Sequence, residues 1–356
     1  MSENTTIGQL DVVVGGQFGS EAKGHVTAQI AARRINSGYP VTAVRVAGPN
    51  AGHSAVGHID GVKYALRQIP VAAVVDNSIQ LVLGAGSEID ESVLEYEVDL
   101  LDQAGYEVSE RLVIDGQATV LEESHKQAEA GSDYNHRFGS TAKGIGQARM
   151  ARLDRSAAIW DFDGGNDTAT LLNERLALNE CVIVEGTQGY GLGLHAGFYP
   201  YCTSSDCRAI DFLAMAGISP WRRDLGLDVW VVARTFPIRV AGNSGPLRGE
   251  VDWNHMQEYT DGYIQGPELT TVTQKPRRIG QWDSVLVKKA MIANGAPSAH
   301  THLVVTFLDY IDPTMADGEG KLTERAAKFL QAVEADCGVT VDGYTTGANS
   351  IAWRLK

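Results

Sequence analysis

Val12-Val13-Val14-Gly15-Gly16-Gln17-Phe18-Gly19-Ser20-Glu21-Ala22-Lys23-Gly24-His25 is the stretch on which the fold turns. Three β-branched apolar residues read as a buried strand, the glycines as a turn, and the segment after Gly19 as a helix with Ala22, Val26 and Ile30 on one face. A strand leading through a glycine turn into a helix suits an anion. The backbone can approach closely, the helix N-terminus offers unpaired N–H groups, and Lys23 adds charge. The spacing is not that of a Walker A loop, because Lys23 follows Ala22 and precedes Gly24, nor is it G-x-G-x-x-G. Such a turn is structural about as often as functional, so the rest of the chain has to decide.

Outward from this stretch, strands and helices alternate. Gly38 and Pro40 end the first helix, and Val41–Val46 is the next strand. Leu81–Leu83 runs into Gly84-Ala85-Gly86, after which Asp90 is placed to cap a helix carrying Leu94, Val98 and Leu101, stopped by Gly105. Further strands are expected at Leu112–Ile114, Cys181–Val184, Val229–Val232 and Leu303–Phe307, with helices over Ser284–Ala293 and Thr323–Ala335. Continuous apolar strands alternating with amphipathic helices predict an α/β fold with a mostly parallel central sheet covered on both faces. No repeat, low-complexity tract or composition break marks a linker, so residues 1–356 are expected to form one domain with long functional loops.

Composition narrows the function classes. The 356 residues, 44% hydrophobic and 21% charged, fit a globular protein with a sizeable core. A net charge of −14 argues against nucleic acid or an anionic membrane as partner, but not against nucleotides, whose phosphates are held locally. There is no run long enough to span a bilayer. The polar, acidic start Met1–Thr6 is unlike a secretory or transit signal, and a cytoplasmic location is expected. Cys181, Cys202, Cys207 and Cys337 fit no zinc spacing and read as reduced, packed thiols.

Three more loops carry chemistry. Ala47-Gly48-Pro49-Asn50-Ala51-Gly52-His53-Ser54 follows a strand, at the carboxyl edge where open sheets bind ligands, and brings an amide, an imidazole and a hydroxyl together. Val184-Glu185-Gly186-Thr187-Gln188-Gly189-Tyr190-Gly191, followed by Tyr199–Ser205, offers an amide and hydroxyls suited to a base edge and a phosphate. Thr270–Arg278 gathers Lys275, Arg277 and Arg278 in an acidic chain, either a solvated loop or a loop for an anionic substrate. His300 and His302 alternate without a third ligand nearby, which favours surface or capping roles over a metal.

Taken together and in this order, these segments resemble the adenylosuccinate synthetase family from Val12 to the C-terminus. The resemblance implies a P-loop-like fold and a ligase. A purine 6-oxygen is phosphorylated by a nucleoside triphosphate, and the amine of L-aspartate then displaces the phosphate. It implies Mg²⁺, a homodimer, and no nucleic-acid or membrane partner. It places Ser20, Lys23 and His53 at the chemistry, with His53 as donor to O6 and general acid, and Ser20 and the Gly52 backbone at Mg²⁺. For the acceptor nucleotide it implies Ser20, Asn50, Ala51, Gly52, Thr141, Gln188, Thr203 and Lys275, with Arg155 or Arg152 reaching across the dimer. For the triphosphate it implies Gly16, Gln17, Gly19, Glu21, Ala22, Lys23, Gly24, Gly52, His53, Ser54, Phe307, Asp309, Thr345, Thr346 and Gly347. For aspartate it implies Thr271, Val272, Thr273, Gln274 and Arg277. Ser140–Gly146 matches the family's phosphate loop, with Lys143 where arginine is usual, and Lys275 likewise stands in an arginine position.

Two departures stand out. Ser20 occupies the place of the family aspartate that takes the N1 proton of inosine monophosphate, and a serine hydroxyl has no comparable basicity. A viral branch of the family, the 2-aminoadenylosuccinate synthetases, has serine or glycine there and uses dGMP. On that resemblance the product is N6-succino-2-amino-2'-deoxyadenylate, made for 2-aminoadenine DNA, and a water or a substrate phosphate is a candidate replacement base. The second departure is Thr306-Phe307-Leu308-Asp309, where the family's guanine-reading sequence has lysine in place of Phe307. Phe307 can stack on a base or belong to the core, and loss of the guanine signature points to ATP or dATP. The alternatives are a divergent enzyme using IMP and GTP, and a nucleotide-binding regulator without catalysis.

Overall fold

The computed structural model describes residues 8–161, 164–222, 224–270, 275–316, 318, 322–347 and 350–355. Its centre is the strand Gly8–Gly15, buried along its whole length. A strand buried on both faces has to be apolar throughout, which is why Val12-Val13-Val14 shows no alternation. It pairs in parallel with Leu225–Arg234 on one side and Cys181–Glu185 on the other. The nine-stranded sheet continues outward through Thr301–Thr306, Val341–Tyr344 and Ala352–Trp353 on the first side, and through Val41–Arg45, Gln80–Leu83 and Leu112–Ile114 on the second. All these pairings are parallel except the edge pair Val341–Tyr344 with Ala352–Trp353.

Alternate residues of the central strand enter two cores. Leu10, Val12 and Val14 pack with Leu172, Phe212, Met291 and Leu330, which come from the helices Thr168–Ala177, Ala209–Ala216, Ser284–Ala293 and Glu324–Cys337. Val13 packs with Val26, Ile30, Leu94 and Leu101 from the helices Lys23–Asn36 and Glu91–Gln103. Helices therefore cover both faces, as the alternation predicts. Because the strands run parallel, Gly15, Arg45, Glu185, Arg234 and Thr306 all end at one edge, and the loops that follow them converge there.

Three local expectations change. The first helix starts at Lys23 rather than just after Gly19, because Gly19, Ser20 and Ala22 hold left-handed φ angles of 85°, 57° and 61°. Asp90 stands at the N-cap of its helix without making the capping bond. Its carboxylate takes Lys126 Nζ at 2.8 Å and Ser92 Oγ at 2.7 Å instead. His300 and His302 both face Asp228, and His302 stacks on Trp230 with ring centroids 4.3 Å apart. Asp228 and Asp342 outweigh the cost of burial and lift His302 to about 9, so it is a structural cation. Among the described residues no group of three or more His, Cys, Asp or Glu could hold a metal.

Candidate functional site

The converging loops wall a cleft of about 1390 Å³. One wall is the Gly15–His25 turn. Two glycines are required by close approach. A Cβ at Gly15 would meet the Gln188 carbonyl at 2.5 Å, and one at Gly24 would meet His53 Cβ and Ser54 N at 2.8 Å. The Glu21 carboxylate folds back inside the turn, accepting from Gln17 N at 3.1 Å, Gly19 N at 2.8 Å and Lys23 Nζ at 2.7 Å. Lys23, 2% exposed, also donates to the Gln188 carbonyl, so two of its three N–H donors are engaged inside the protein. The 14-residue helix that begins at Lys23 has no side-chain cap, which leaves its first-turn N–H groups for an anion. Ala22 in a left-handed conformation costs about 1 kcal/mol, a strain held by the surrounding turn.

The second wall carries His53 at the start of the strand His53–Val56. Its Nδ1 hydrogen-bonds to Oε1 of Glu185, a carboxylate with no exposure at the end of the Cys181–Glu185 strand. Glu185 also accepts from Arg45 Nη1 at 3.0 Å and from Val71 N at 2.8 Å. Arg45 Nη2 donates to the Ala51 carbonyl at 2.6 Å and Arg67 Nε to the Pro49 carbonyl at 2.6 Å, which straps the Asn50–Gly52 loop in place. Burial drives the His53 imidazole down to about 4, with Glu185 opposing and Arg45 and Lys23 reinforcing. At neutral pH it is uncharged. With the Nδ1–H donated to the Glu185 carboxylate, the other ring nitrogen is the one left for a ligand.

The third wall holds the Arg234 cluster. Arg234, fully buried at the end of its strand, pairs with Glu268 through both terminal nitrogens. Glu268 also accepts from Arg277 Nη1 at 3.2 Å and Tyr310 Oη at 3.0 Å. Burial works against ionisation of Glu268, but Arg234 and then Arg277 hold its carboxyl down to about 2. The Arg234 guanidinium lies over the Phe307 ring, 4.1 Å from its centroid. Arg239 lies over Phe18 at 4.3 Å and donates to the Tyr201 carbonyl at 2.9 Å.

Most of the residues expected from the sequence meet in this cleft. Ser20, Lys23, Asn50, Ala51, Gly52, His53, Thr141, Gln188, Thr203, Lys275 and Arg277 all line it. So do Gly19, Glu21, Ala22, Gly24, Ser54, Phe307, Asp309, Thr345 and Gly347. Others stand outside its lining. Gly16 N is bonded to the Val232 carbonyl at 2.8 Å. Gln17 is buried, its amide clamping the backbone of Arg234 with two 3.0 Å bonds, which makes it a strut between strands. Thr346 is buried with its hydroxyl on Ser350 at 2.8 Å. Arg155 is exposed at the end of the helix Ile145–Asp154, and Arg152 is exposed on that helix. Thr271, Val272, Thr273 and Gln274 lie outside the described residues.

Sequence reasoning missed Arg45, Glu185 and Arg234, although one signal was available. Each is the charged last residue of a strand whose preceding two residues or more are apolar, and each is completely buried. It also missed Glu268, Tyr263 and Lys63, which only the fold brings to the cleft, while His25 lines it from the end of the glycine-turn stretch itself.

A parallel sheet with helices on both faces, an uncapped helix end behind a glycine turn and a carboxylate-held imidazole define a nucleotide-handling enzyme. The sequence matches the adenylosuccinate synthetase family over residues 12–161 and 164–316, and the chain belongs to that family. It is 36% identical to the adenylosuccinate synthetase of Methanococcus aeolicus, over 94% of this chain and 96% of that one. Against the enzyme of Pyrococcus horikoshii it is 35% identical, over 94% and 95%. Among solved structures, the cyanophage S-2L succinoaminodeoxyadenylate synthetase bound to dGMP and dATP as an energy donor is similar, with a TM-score of 0.77 and 26% identity over 98% of this chain and 95% of that one. The fully ligated adenylosuccinate synthetase of Plasmodium falciparum shares the fold, with a TM-score of 0.80 and 19% identity over 98% and 100%.

The protein is therefore a carbon–nitrogen ligase that joins a purine nucleotide to aspartate. The family uses Mg²⁺ with a nucleoside triphosphate, and the donor set here fits that ion. The Glu21 carboxylate is committed to Lys23 and the turn, leaving the Ser20 hydroxyl and the Gly52 carbonyl as hard oxygen donors on the cleft wall. So few protein ligands suit an ion that keeps waters and substrate phosphates for most of its shell. No helix among the described residues is long and apolar enough to cross a membrane.

Proposed function

We propose that the acceptor is a guanine deoxynucleotide, dGMP, and that ATP or dATP drives its condensation with L-aspartate to N6-succino-2-amino-2'-deoxyadenylate. The observation that carries this reading is Ser20. It stands exposed on the cleft wall, in the place where the family's inosinate enzymes carry an aspartate base. The cyanophage relative bound to dGMP and dATP supports the same direction. A second reading, IMP as acceptor and GTP as donor, is favoured by the archaeal relatives, which are adenylosuccinate synthetases at 33–36% identity.

In either reading the residues divide the work. The first-turn N–H groups and Lys23 hold the phosphoryl group in transit, and Mg²⁺ when bound supplies charge to the same oxygens. Glu185 fixes the His53 ring. The neutral imidazole gains its second proton when the anionic nucleotide raises its pKa, and it then donates to O6 as negative charge develops there. Asn50, Thr141, Gln188, Thr203 and Lys275 hold the acceptor. Arg277, together with the Thr271–Gln274 loop, takes the aspartate carboxylates. Arg155 or Arg152 serves a partner subunit in a homodimer, and the chain works as a single domain.

The test is phosphate release, with product mass, for dGMP, GMP, IMP and dIMP in turn, each with aspartate and either ATP or GTP. Succinylated product from dGMP and little from IMP supports the proposal. Product from IMP alone establishes the second reading.

A further inference from the structure

We infer that Arg239 is the buried charge that the acceptor nucleotide's phosphate balances, so that the cleft takes a nucleoside monophosphate in preference to a nucleoside. The inference rests on the acceptor lying against residues 199–204, the segment that carries Thr203.

Arg239 is 3% exposed, lines the cleft and ends the short strand Ile238–Arg239. Other buried cations of the site are matched by carboxylates, Lys23 by Glu21, Arg45 by Glu185 and Arg234 by Glu268. Among the described residues Arg239 has no carboxylate partner. It donates to two carbonyl oxygens, Tyr201 at 2.9 Å and Pro246 at 3.4 Å, and lies over the Phe18 ring, while its Nε is buried without an acceptor. Directly across the strand pair stands a second guanidinium, Arg278, whose charge is met by Glu250 through bonds of 2.7 and 2.5 Å. Like charges opposite one another in a strand pair are unfavourable, and a buried charge without a counter-ion is more so. Burial first and Arg278 second push the Arg239 guanidinium down to about 10, which leaves it charged at neutral pH.

The neighbours of Arg239 point to the anion that completes it. The Tyr201 carbonyl it holds lies two residues before Thr203, and Tyr201, Thr203 and Val240 line the same cleft. The neutral groups of Asn50, Thr141, Gln188 and Thr203 orient an acceptor without balancing its phosphate. Arg239 supplies that charge from within the wall, where poor hydration lets a unit charge act across several ångströms. The triphosphate needs it less, because the glycine turn brings its own lysine and its own uncapped helix end.

The experiment measures dissociation constants at neutral pH in the wild type, Arg239→Gln, Arg239→Lys and Thr203→Ala. Calorimetric titration serves for dGMP, IMP and ATP, and competition for deoxyguanosine and inosine. Arg239→Gln keeps a donor for the Tyr201 carbonyl and removes the charge. It is expected to weaken the monophosphates by about tenfold, the worth of one charge across a partly screened site, with ATP and both nucleosides within about twofold of the wild type. Arg239→Lys restores the charge and should recover most of the loss. Because burial lowers the pKa of a cation, this variant should also lose monophosphate affinity relative to the wild type as pH is raised to about 10, which tests the charge even if Arg239→Gln does not fold. Equal losses for nucleotide and nucleoside would make Arg239 part of the wall's shape alone, and unchanged monophosphate binding would leave its charge unread; either result overturns the inference. If Thr203→Ala leaves monophosphate binding unchanged, the acceptor lies elsewhere and the inference fails with that seat. A loss with Thr203→Ala and none with Arg239→Gln keeps the seat and overturns the role of Arg239.

Discussion

Glu185→Gln isolates the device on which the proposed chemistry depends. The carboxylate accepts from His53 Nδ1, from Arg45 Nη1 at 3.0 Å and from Val71 N at 2.8 Å, and neither it nor Arg45 has any exposure. An amide of the same shape offers one acceptor oxygen and turns an N–H toward one of these donors. Arg45 loses its buried counter-ion, which costs about 3–5 kcal/mol, or a fall in melting temperature of roughly 5–10 °C. His53 loses the partner that fixes its tautomer and ring plane, and a general acid held in the wrong tautomer gives up about two to four orders of magnitude in turnover. Phosphate release at saturating substrates measures kcat, calorimetric titration with the nucleotides measures binding, and circular dichroism checks the fold. The expected result is a folded, less stable protein that binds nucleotide but turns over at least a hundredfold more slowly. A folded Glu185→Gln protein with kcat within threefold of the wild type would refute the orientation of His53 through Glu185.

Three further outcomes follow from the same geometry. His53→Ala should lower kcat by about two or more orders of magnitude with nucleotide affinity little changed, and unchanged turnover would remove His53 from the mechanism. Ser20→Asp should weaken use of dGMP relative to IMP in competitive kinetics, and an unaltered ratio would sink the account of Ser20 as the acceptor determinant. His302 should make stability fall with alkaline pH. Its folded pKa, raised to about 9, exceeds the unfolded value, so its contribution is complete below about pH 6.5 and is lost as pH climbs through 9. Discounted for screening, this amounts to about 1–2 kcal/mol, and His302→Asn should melt a few degrees below the wild type at pH 6.5 and level with it near pH 10.

The elements legible in the sequence were those specified locally. Val12–Val14 and the helix Ser284–Ala293 lie where periodicity puts them, because a strand buried on both faces and an amphipathic helix each leave a pattern along the chain. The glycine loops could be placed at the carboxyl edge of the sheet for the same reason. Partnerships across the fold left no such trace. Glu185 and His53 are 132 positions apart, and Gln17 and Arg234 are 217 apart. Gln17 looks like a ligand in a phosphate turn and becomes a strut only when the Leu225–Arg234 strand is laid beside it. Asp90 shows the same limit on a smaller scale, since Lys126, brought in by a later helix, outcompetes the cap.

The acceptor is the centre of the account, and one competition experiment addresses it directly. Equimolar dGMP and IMP are presented together to the enzyme with aspartate, Mg²⁺ and ATP, and the products are resolved by mass. The account predicts N6-succino-2-amino-2'-deoxyadenylate as the main product at early times. Adenylosuccinate as the main product would contradict it and return Ser20 to an enzyme of inosinate.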